Sequence, residues 1–491
     1  MADSSKPAED RRRHLERLRA LGVHPYPARY LATHTVSRAV EGYRELGADA
    51  LEDKRVEVAV AGRIVALRRH GKAGFADLSD GRERLQIYVK KDVAGERGFE
   101  IFSNCDLGDF AGARGPLFRT RAGELTVRVE ELTFLSKALR PLPEKWHGLA
   151  DVELRYRRRY LDLIANPEVR KIFETRTRLV TAMRGFLDAK GFLEVETPVL
   201  QPLYGGALAT PFKTHHHALD MPLYLRIADE LYLKRLVVGG MEKVYEICTD
   251  FRNEGISNVH NPEFTMVETY EAYASFEEVM LLTEEMLAHC VERATGSLDV
   301  EFREKRISLA RPWKRMRYDE ALCEHIKGFS PGDLENEERL RAVAAEHQVN
   351  LATAETPWDI VSELFEHLVE PGLVQPTFVT HLPRALSPLA KAEEENSPWA
   401  GRFELFAGGI ELANGYSEQN DPDEQRARFE EIQAANPECK VDEDYLLALS
   451  HGMPPTGGLG VGIDRLTMLA TGAPNIREVI LFPLLRPQEK P

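Results

Sequence analysis

The most chemically informative stretch of the sequence is FRNEGISNVHNPEFTMVETY, residues 251–270, which combines an arginine, a histidine, carboxylates and aromatic rings. The guanidinium of Arg252 can donate parallel hydrogen bonds to a phosphate, and the ring of Phe264 can stack on a purine. Turn-forming residues separate the two, which predicts two strands joined by a loop. A surface hairpin with solvated charges has similar composition, so the nucleotide interpretation needs a second signal.

The second signal is the run PPTGGLGVGIDRLTMLATGAPNIREVILFP at residues 454–483. Its glycines permit close backbone approach, and the apolar residues after them have helical spacing, so we expect Arg465 at a strand-to-helix junction. A dinucleotide-binding turn is excluded, because that turn opens a βαβ unit and this run lies near the C-terminus.

Together the two runs resemble motifs 2 and 3 of the class II aminoacyl-tRNA synthetases. Segments at 205–240, 373–391 and 402–422 narrow the resemblance to the bacterial type of lysyl-tRNA synthetase, and the likeness extends from about His24 to Phe482. These motifs are more specific than a likeness of fold. The resemblance implies an α+β chain, with an N-terminal OB-fold β-barrel followed by a class II synthetase antiparallel sheet with flanking helices.

The sequence pattern along the chain agrees with that domain organisation. A basic amphipathic helix is predicted over residues 10–22, and short alternating strands follow from Arg55 to about Leu135. The segment KGFLEVETPVL, with Pro198, resembles motif 1, which implies a homodimer. The predicted segments are an N-terminal helical extension (1–52), an OB-fold anticodon-binding domain (53–140), a linker (141–165) and the catalytic domain (166–491).

The resemblance implies that ATP activates L-lysine to lysyl-adenylate and that lysine is then transferred to tRNA(Lys). Attack on the α-phosphorus places charge on phosphate oxygens, so positioning and electrostatics can supply the catalysis. Arg252 and Arg465 are the implied catalytic residues. The implied ATP-binding residues are Arg252, Glu254, His260, Phe264, Glu404 and Arg465. Glu404 and Glu411 are the implied ligands of Mg²⁺, a hard cation that prefers carboxylate oxygens.

Selection of lysine requires a negative pocket around an ammonium group. The segments that match the family offer several acids and few bases, which favours a cationic substrate over the acidic substrate of the related aspartyl enzymes. The implied lysine-binding residues are Gly206, Glu230, Glu268, Tyr270, Asn414, Tyr416 and Glu418.

Three residues of the N-terminal barrel are candidates for binding the tRNA anticodon. Phe75 could stack on an unpaired base, Gln86 could read its edge, and Arg68 could pair with a phosphate or a base edge. Without the family resemblance, a core phenylalanine and two surface polar residues would be the favoured interpretation.

Composition is that of an ordinary globular chain of 491 residues, with 43% hydrophobic and 29% charged residues, which suffices for two or more domains. No apolar stretch approaches the roughly 20 residues of a membrane span, and the charged N-terminus does not resemble a signal peptide. The five cysteines show no paired spacing, which favours a reducing compartment, here the cytoplasm, over disulfides or zinc. A net charge of −15 leaves RNA binding to local basic patches.

Four residues depart from the family pattern: Tyr204, Thr210, Asp229 and Val259. Two of them, Thr210 and Val259, remove positive charge near the expected path of phosphate or tRNA acceptor end. Two alternatives therefore stay open, a paralogue that lysylates another acceptor such as elongation factor P, and a non-catalytic RNA-binding regulatory paralogue. The first lacks an anticodon domain, and the second has no need of the glutamates and Arg465.

Overall fold

The chain forms two compact units, Met1–Arg170 and Lys171–Pro491. The computed structural model describes residues 5–142, 149–352, 354–394 and 397–487. Part of the predicted linker, residues 143–148, and the first four residues of the predicted extension lie outside these ranges. Among the described residues, the helices are all too short or too polar to cross a membrane.

The first unit contains six helices and six strands in its described part. Its helices are α1 (Ser5–Ala20), α2 (Val36–Tyr43), α3 (Ala48–Lys54), α4 (Lys91–Ser103), α5 (Val152–Arg157) and α6 (Arg159–Ala165). Its strands are β1 (Glu57–His70), β2 (Ala73–Ser79), β3 (Arg84–Lys90), β4 (Phe110–Arg119), β5 (Leu125–Arg128) and β6 (Glu131–Ser136).

The strands of the first unit pair in a ring. β1 pairs with β2, β2 with β3, β3 with β5, β5 with β4, and β4 returns to β1. All of these pairings are antiparallel except β3 with β5. Apolar residues alternate along β2 and β3, so that Ala76, Leu78 and Ile87 are buried inside. The predicted OB-fold is confirmed.

Two elements of this unit escaped the sequence pattern. β4 reads FAGARGPLFR, whose two glycines and proline weaken its alternation, and α4 is interrupted by Gly95 at a φ of 72°. Gly112 on β4 has a reason to lack a side chain, because a Cβ there would lie 2.4 Å from the ring of Tyr30. Tertiary packing therefore determines this strand more than its own pattern does.

The second unit contains the larger sheet and the remaining helices. Its strands are β7 (Leu193–Glu194), β8 (Leu200–Gln201), β9 (Lys213–His216), β10 (Met221–Leu225), β11 (Lys243–Phe251), β12 (Glu263–Ala272), β13 (Asp299–Phe302), β14 (Lys305–Ser308), β15 (Lys314–Arg317), β16 (Thr377–Thr380), β17 (Arg402–Phe406), β18 (Glu411–Ser417) and β19 (Thr456–Gly462). Its α-helices are α7 (Glu168–Ala189, which starts just before the unit boundary), α8 (Glu230–Val238), α9 (Phe276–Thr295), α10 (Tyr318–His325), α11 (Glu337–Glu346), α12 (Pro357–Leu364), α13 (Pro422–Ala435), α14 (Glu443–Ser450), α15 (Ile463–Thr471) and α16 (Ile476–Val479). Shorter helical turns span Pro331–Glu335, Phe365–Val369, Glu370–Gly372 and Arg384–Leu386.

Eight strands form the main sheet in the order β15-β16-β17-β18-β19-β12-β11-β7. The pairings from β16 to β11 are antiparallel, as the resemblance implied, and the two edge strands, β15 and β7, pair in parallel. The strands β12 and β18, which carry six of the predicted site residues between them, thus lie at the centre of the sheet on either side of β19.

Helices on one face of this sheet complete the main core. Met183 of α7, Met286 of α9 and Leu466 of α15 are fully buried there with Val461 of β19. Local capping residues determine both ends of α9. Ser275 and Glu278 form a reciprocal N-terminal cap, and Gly296 ends the helix at a φ of 82°. The buried side chains of these helices therefore pack against the central strands and hold them in place.

Candidate active site

A single cavity of about 530 Å³ gathers the residues predicted for the chemistry. Its wall includes every residue predicted from the sequence to bind ATP, lysine or magnesium, namely Gly206, Glu230, Arg252, Glu254, His260, Phe264, Glu268, Tyr270, Glu404, Glu411, Asn414, Tyr416, Glu418 and Arg465. The fold brings together in this cavity positions that are up to 259 residues apart, from Gly206 to Arg465. The cavity is therefore the candidate active site.

One end of the cavity is formed by the predicted hairpin of β11 and β12. Phe264 lies on β12, opposite Asp250 of β11. Arg252 lies one residue beyond the end of β11, a small correction to its predicted place within the strand, although its N–H still bonds the Pro262 carbonyl at 2.9 Å. Its guanidinium carbon lies 5.0 Å from the centroid of the Phe264 ring. A phosphate-binding fork and a flat apolar face are thus side by side.

Arg465 lies in the first turn of α15, directly after β19, as the glycine-rich run predicted. The preceding residue, Asp464, fixes this turn to the hairpin, because its carboxylate accepts the N–H of Thr265 at 2.7 Å. Arg176 of α7 also donates to that carboxylate and to the Thr265 hydroxyl. A buried acid therefore sets the position of Arg465 relative to Phe264.

Among the described residues, the Arg465 guanidinium has two side-chain partners in the cavity. Nη1 donates to the Glu411 carboxylate at 2.9 Å, and Nη2 donates to Nε2 of His260 at 2.9 Å. Because an arginine only donates, Nε2 accepts, and Nδ1 of His260 carries the hydrogen toward the Ser257 hydroxyl at 2.8 Å. Burial, helped by the charge of Arg465, lowers the pKa of His260. His260 is therefore a neutral acceptor at neutral pH.

Arg402 is a cavity residue that the sequence did not single out. It extends from β17, where its Nη2 donates to Oε1 of Glu404 at 2.6 Å and its Nε donates to Oδ1 of Asn414 at 3.0 Å. Burial raises the pKa of Glu404 to about 7, against the lowering effect of Arg402. Only the match of RFELF to alternating strand positions could have suggested that Arg402 and Glu404 share a face.

The carboxylates of Glu404 and Glu411 were predicted to hold Mg²⁺, and their surroundings fit that ion. Both line the cavity, their side chains are 19% and 36% exposed, and the hydrogen bond from an arginine engages one oxygen of each. Two carboxylates that share a wall with Arg465 suit a cation that bridges phosphates.

The opposite end of the cavity is acidic, with one buried cation among the acids. Lys234, one turn after Glu230 on α8, is fully buried and pairs with both Glu230 and Glu418. Burial alone would lower the pKa of the Lys234 ammonium, but the two carboxylates outweigh burial and raise it. The Tyr416 hydroxyl donates to Oε2 of Glu230 at 2.7 Å. Sequence reasoning missed Lys234, although its spacing from Glu230 on a helix was a signal.

Glu268 and Tyr270 complete this acidic end from β12. The Tyr270 hydroxyl donates to Oε2 of Glu268 at 3.1 Å, and both side chains are buried. Gly206 lines the same cavity with a φ of 88°, and a Cβ there would lie 3.0 Å from Ala228. Because Gly206 has no side chain, the backbone of this wall can lie close to Ala228 without filling the cavity.

The candidate anticodon residues lie in the other unit, on one face of its sheet. Arg68 of β1 is directly opposite Phe75 of β2, and Gln86 of β3 is opposite Asp77 of β2. Phe75 is half-buried, and its neighbours Gly74 and Ala76 carry the core side of the strand, so the interpretation as a core phenylalanine is wrong. Arg68 is exposed and lies 3.4 Å from the Asp77 carboxylate.

This face carries more aromatic surface than the sequence suggested. The Phe75 ring is 4.7 Å from that of Tyr88, which in turn is 6.2 Å from Phe118. Arg128 lies 4.9 Å from the Phe118 centroid. Rings interleaved with arginines form a platform on which unpaired bases can stack.

Comparison with known proteins gives a matching family for each of the two units. Residues 151–486 match the model of the class II tRNA synthetases (D, K and N), and residues 58–135 match the OB-fold nucleic acid binding domain. The lysine–tRNA ligase of Moorella thermoacetica is 50% identical over 97% of both chains, and that of Bacillus subtilis is 49% identical over 97% of this chain and 96% of its own. That of Pelotomaculum thermopropionicum is 50% identical over 98% of this chain and 94% of its own. The chain belongs to the class II tRNA synthetases.

Proposed function

We propose that this chain is a lysine–tRNA ligase, which uses ATP to activate L-lysine as lysyl-adenylate and then transfers lysine to tRNA(Lys). The observation that carries the proposal is a single cavity that has one end rich in arginine and another end rich in buried carboxylates. Similarity to lysine–tRNA ligases along nearly the whole chain supports it.

The acidic end favours lysine among the amino acids that its family uses. The matched family covers enzymes for aspartate, lysine and asparagine. Aspartate would need a free cation where this cavity presents Glu230, Glu268 and Glu418, and Lys234, a cation buried among these acids, is already held by two of them. Lysine brings two ammonium groups to a site with a surplus of negative charge.

We assign the ATP end by the chemistry of its side chains. Phe264 offers its face to adenine, and Glu254 offers a carboxylate to the edge of the base. Arg252, close to that ring, holds the α-phosphate, while His260 and Arg465 hold the β- and γ-phosphates. The hydrogen bond between Arg465 and neutral His260 keeps the guanidinium in place for this role.

In the first reaction, the lysine carboxylate attacks the α-phosphorus and pyrophosphate leaves. The side chains contribute by holding both reactants in line and by opposing the charge on the phosphate oxygens, so Arg252 and Arg465 act as the catalytic groups. Mg²⁺ held by Glu404 and Glu411 would neutralise polyphosphate charge when bound. Asn414, fixed by Arg402, and Gly206 complete the lysine pocket.

In the second reaction, a terminal ribose hydroxyl of tRNA attacks the activated carbonyl carbon of lysine, and AMP leaves. The face of Arg68, Phe75 and Gln86 would bind the anticodon of the same tRNA. This face supports a tRNA acceptor over a protein acceptor such as elongation factor P, because stacking platforms recognise unpaired bases.

The remaining parts of the proposal follow from the family. They are a homodimer formed through the segment around Pro198, a cytoplasmic location, and the domain bounds 1–52, 53–140, 141–165 and 166–491.

Lysine-dependent exchange between ATP and pyrophosphate tests the activation step. We expect exchange with L-lysine and a rate at least about a hundredfold lower with arginine, aspartate or asparagine, since each would leave buried charges unpaired or lack room. Exchange with aspartate or asparagine in place of lysine would contradict the assignment of the acidic end.

A further inference from the structure

Lys234 is a buried cation beside the acidic end of the cavity. Its side chain is fully buried, and its ammonium pairs with Oε1 of Glu230 and with Oε2 of Glu418. Both glutamates belong to the cavity wall, whereas Lys234 lies outside that wall. The ammonium therefore holds two carboxylates of the proposed lysine pocket from outside the space that a substrate would enter.

Two tyrosine hydroxyls engage further oxygens of the same pocket. Tyr416 donates to Oε2 of Glu230 at 2.7 Å, and Tyr270 donates to Oε2 of Glu268 at 3.1 Å. Each of the three acids of the pocket, Glu230, Glu268 and Glu418, thus has at least one oxygen that already pairs with a group of the protein. Consequently, none of the three carboxylates offers two unpaired oxygens to a ligand.

One oxygen of Glu418 remains for a ligand. Oε2 lies next to the Lys234 ammonium, whereas Oε1 is buried and accepts no hydrogen bond from any described residue. Oε1 lies against Gly458, where a Cβ would clash with it, and both Glu418 and Gly458 line the cavity. A buried acceptor without a donor is costly, so binding of a ligand that donates to Oε1 is favoured.

Ammonium and guanidinium groups differ in what they need from a carboxylate. An ammonium is a compact charge whose three donors can reach single oxygens in different directions, whereas a guanidinium is a planar fork that pairs best with both oxygens of one carboxylate. The pocket offers single oxygens, because Lys234 occupies Oε1 of Glu230 and Oε2 of Glu418. This arrangement suits the side chain of lysine better than that of arginine.

Charge alone does not separate these two amino acids. Their side chains carry the same positive charge, and the three glutamates of the pocket exceed the single charge of Lys234. Either side chain would therefore gain from the surplus of negative charge. The difference lies in how many oxygens each carboxylate leaves free, which is the property that Lys234 controls.

We propose that Lys234 is a specificity-determining residue, which holds one oxygen of Glu230 and one of Glu418 and so prevents a guanidinium from pairing with both oxygens of either carboxylate. This inference rests on the proposed function and adds to it the means by which the pocket distinguishes lysine from arginine. Lys234 is a positioning residue, since it acts through the two glutamates. The substrate ammonium shares Glu418 with Lys234, with the substrate at Oε1 and Lys234 at Oε2.

This specificity is measured in the full chain as a ratio, the inhibition constant of arginine divided by the KM for lysine, both in lysine-dependent exchange between ATP and pyrophosphate. Methionine is unbranched and uncharged, so Lys234→Met releases the oxygens that Lys234 holds. We expect the ratio to fall about tenfold or more in this variant, because arginine gains a second charge-assisted hydrogen bond. The same ratio for ornithine, whose side chain ends in an ammonium, should change by no more than about twofold.

Lys234→Met also leaves two buried carboxylates without their cation, so a second comparison keeps the charge balanced. The double variant Lys234→Met with Glu230→Gln removes one charge of each sign and leaves both oxygens of Glu418 free. Glu230→Gln alone keeps Lys234 on Glu418 and is the matched control. The ratio for arginine should be about tenfold lower in the double variant than in this control. The KM for ATP and the unfolding temperature report whether each variant is folded.

Parallel weakening of lysine, arginine and ornithine, with both ratios as in the parent, would assign Lys234 a structural role and overturn the inference. An equal fall of the ornithine and arginine ratios would overturn it too, because the effect would then be one of charge. Loss of the folded state in both Lys234 variants would have the same consequence. In each case, lysine-dependent exchange by the parent would leave the proposed function standing. A parent chain without such exchange would overturn the proposed function as well.

Discussion

The guanidinium of Arg465 donates from Nη1 to Oε2 of Glu411 over 2.9 Å. The arginine assigned to the outer phosphates of ATP is therefore paired with a carboxylate assigned to Mg²⁺. Binding of the magnesium complex of ATP would replace both partners at once, phosphate for the carboxylate and metal for the guanidinium. Arg465 and Glu411 would thus each have a partner of opposite charge both before and after ATP binds, so neither charge is left unpaired.

The first prediction concerns these carboxylates. Glu404→Ala and Glu411→Ala should each lower lysine-dependent exchange by on the order of a hundredfold or more, because the polyphosphate charge loses its counter-ion. Binding of tRNA, measured by filter retention, should change little. Glu335→Ala, which removes an exposed glutamate outside the cavity, is the control. Normal exchange in both cavity variants at ordinary magnesium concentrations would place the ion elsewhere.

The second prediction concerns the lysine pocket. Glu268→Gln leaves a bound ammonium without one of its buried partners, a loss of about 2–5 kcal/mol for a desolvated pair. The KM for lysine, measured by exchange near pH 8, should rise about thirtyfold or more, while the KM for ATP changes only a few-fold. An unaltered lysine KM would remove Glu268 from the pocket.

The third prediction concerns stability and pH at Asp229. The pKa of Asp229 in the folded chain is about 6, above the usual 3.8. The contribution of this group to the free energy of unfolding is therefore fully present below about pH 4 and is lost as the pH rises through 6. At pH 8 the ionised carboxylate should lower the free energy of unfolding by about 3 kcal/mol, at 1.36 kcal/mol per pKa unit. Asp229→Asn should therefore unfold at a higher temperature than the parent at pH 8, with a smaller difference near pH 4. Equal differences at both values would contradict the raised pKa.

The fourth prediction concerns the anticodon face. Phe75→Ala should weaken tRNA binding by roughly 1–3 kcal/mol, the usual loss for one base stacked on an aromatic ring. Lysine-dependent exchange should stay unchanged, because it needs only the other unit. Tyr26→Ala removes an aromatic side chain that is 43% exposed in the same unit and serves as the control. Charging of tRNA(Lys) by Phe75→Ala at the parent rate would exclude the proposed stacking role.

Local sequence predicted the parts of the site that short motifs encode. Phe264 and Arg465 were placed by turn residues and glycines next to them, and both lie where those patterns put them. The ends of α9, a helix for which no prediction was made, are likewise determined by its own capping residues. Such elements depend on neighbours within a few positions, which a single sequence shows.

Contacts between distant positions were beyond that reasoning. Lys234 and Glu418 pair across 184 residues, and Asp229 and Cys248 meet only after α8 packs beside β11. The scattered cysteines suggested no grouping with acids, yet Cys248 lies within a buried acidic cluster. Contacts of this kind depend on the register in which the strands pair, and no local sequence pattern specifies that register.

Charging of tRNA(Lys) with radiolabelled lysine tests the central claim most directly, because it requires ATP, lysine and the anticodon-binding unit together. The chain should form lysyl-tRNA(Lys) in an ATP-dependent reaction, and tRNA for aspartate should remain uncharged. A chain that supports lysine-dependent exchange but leaves tRNA(Lys) uncharged, while it transfers lysine to elongation factor P, would contradict the account.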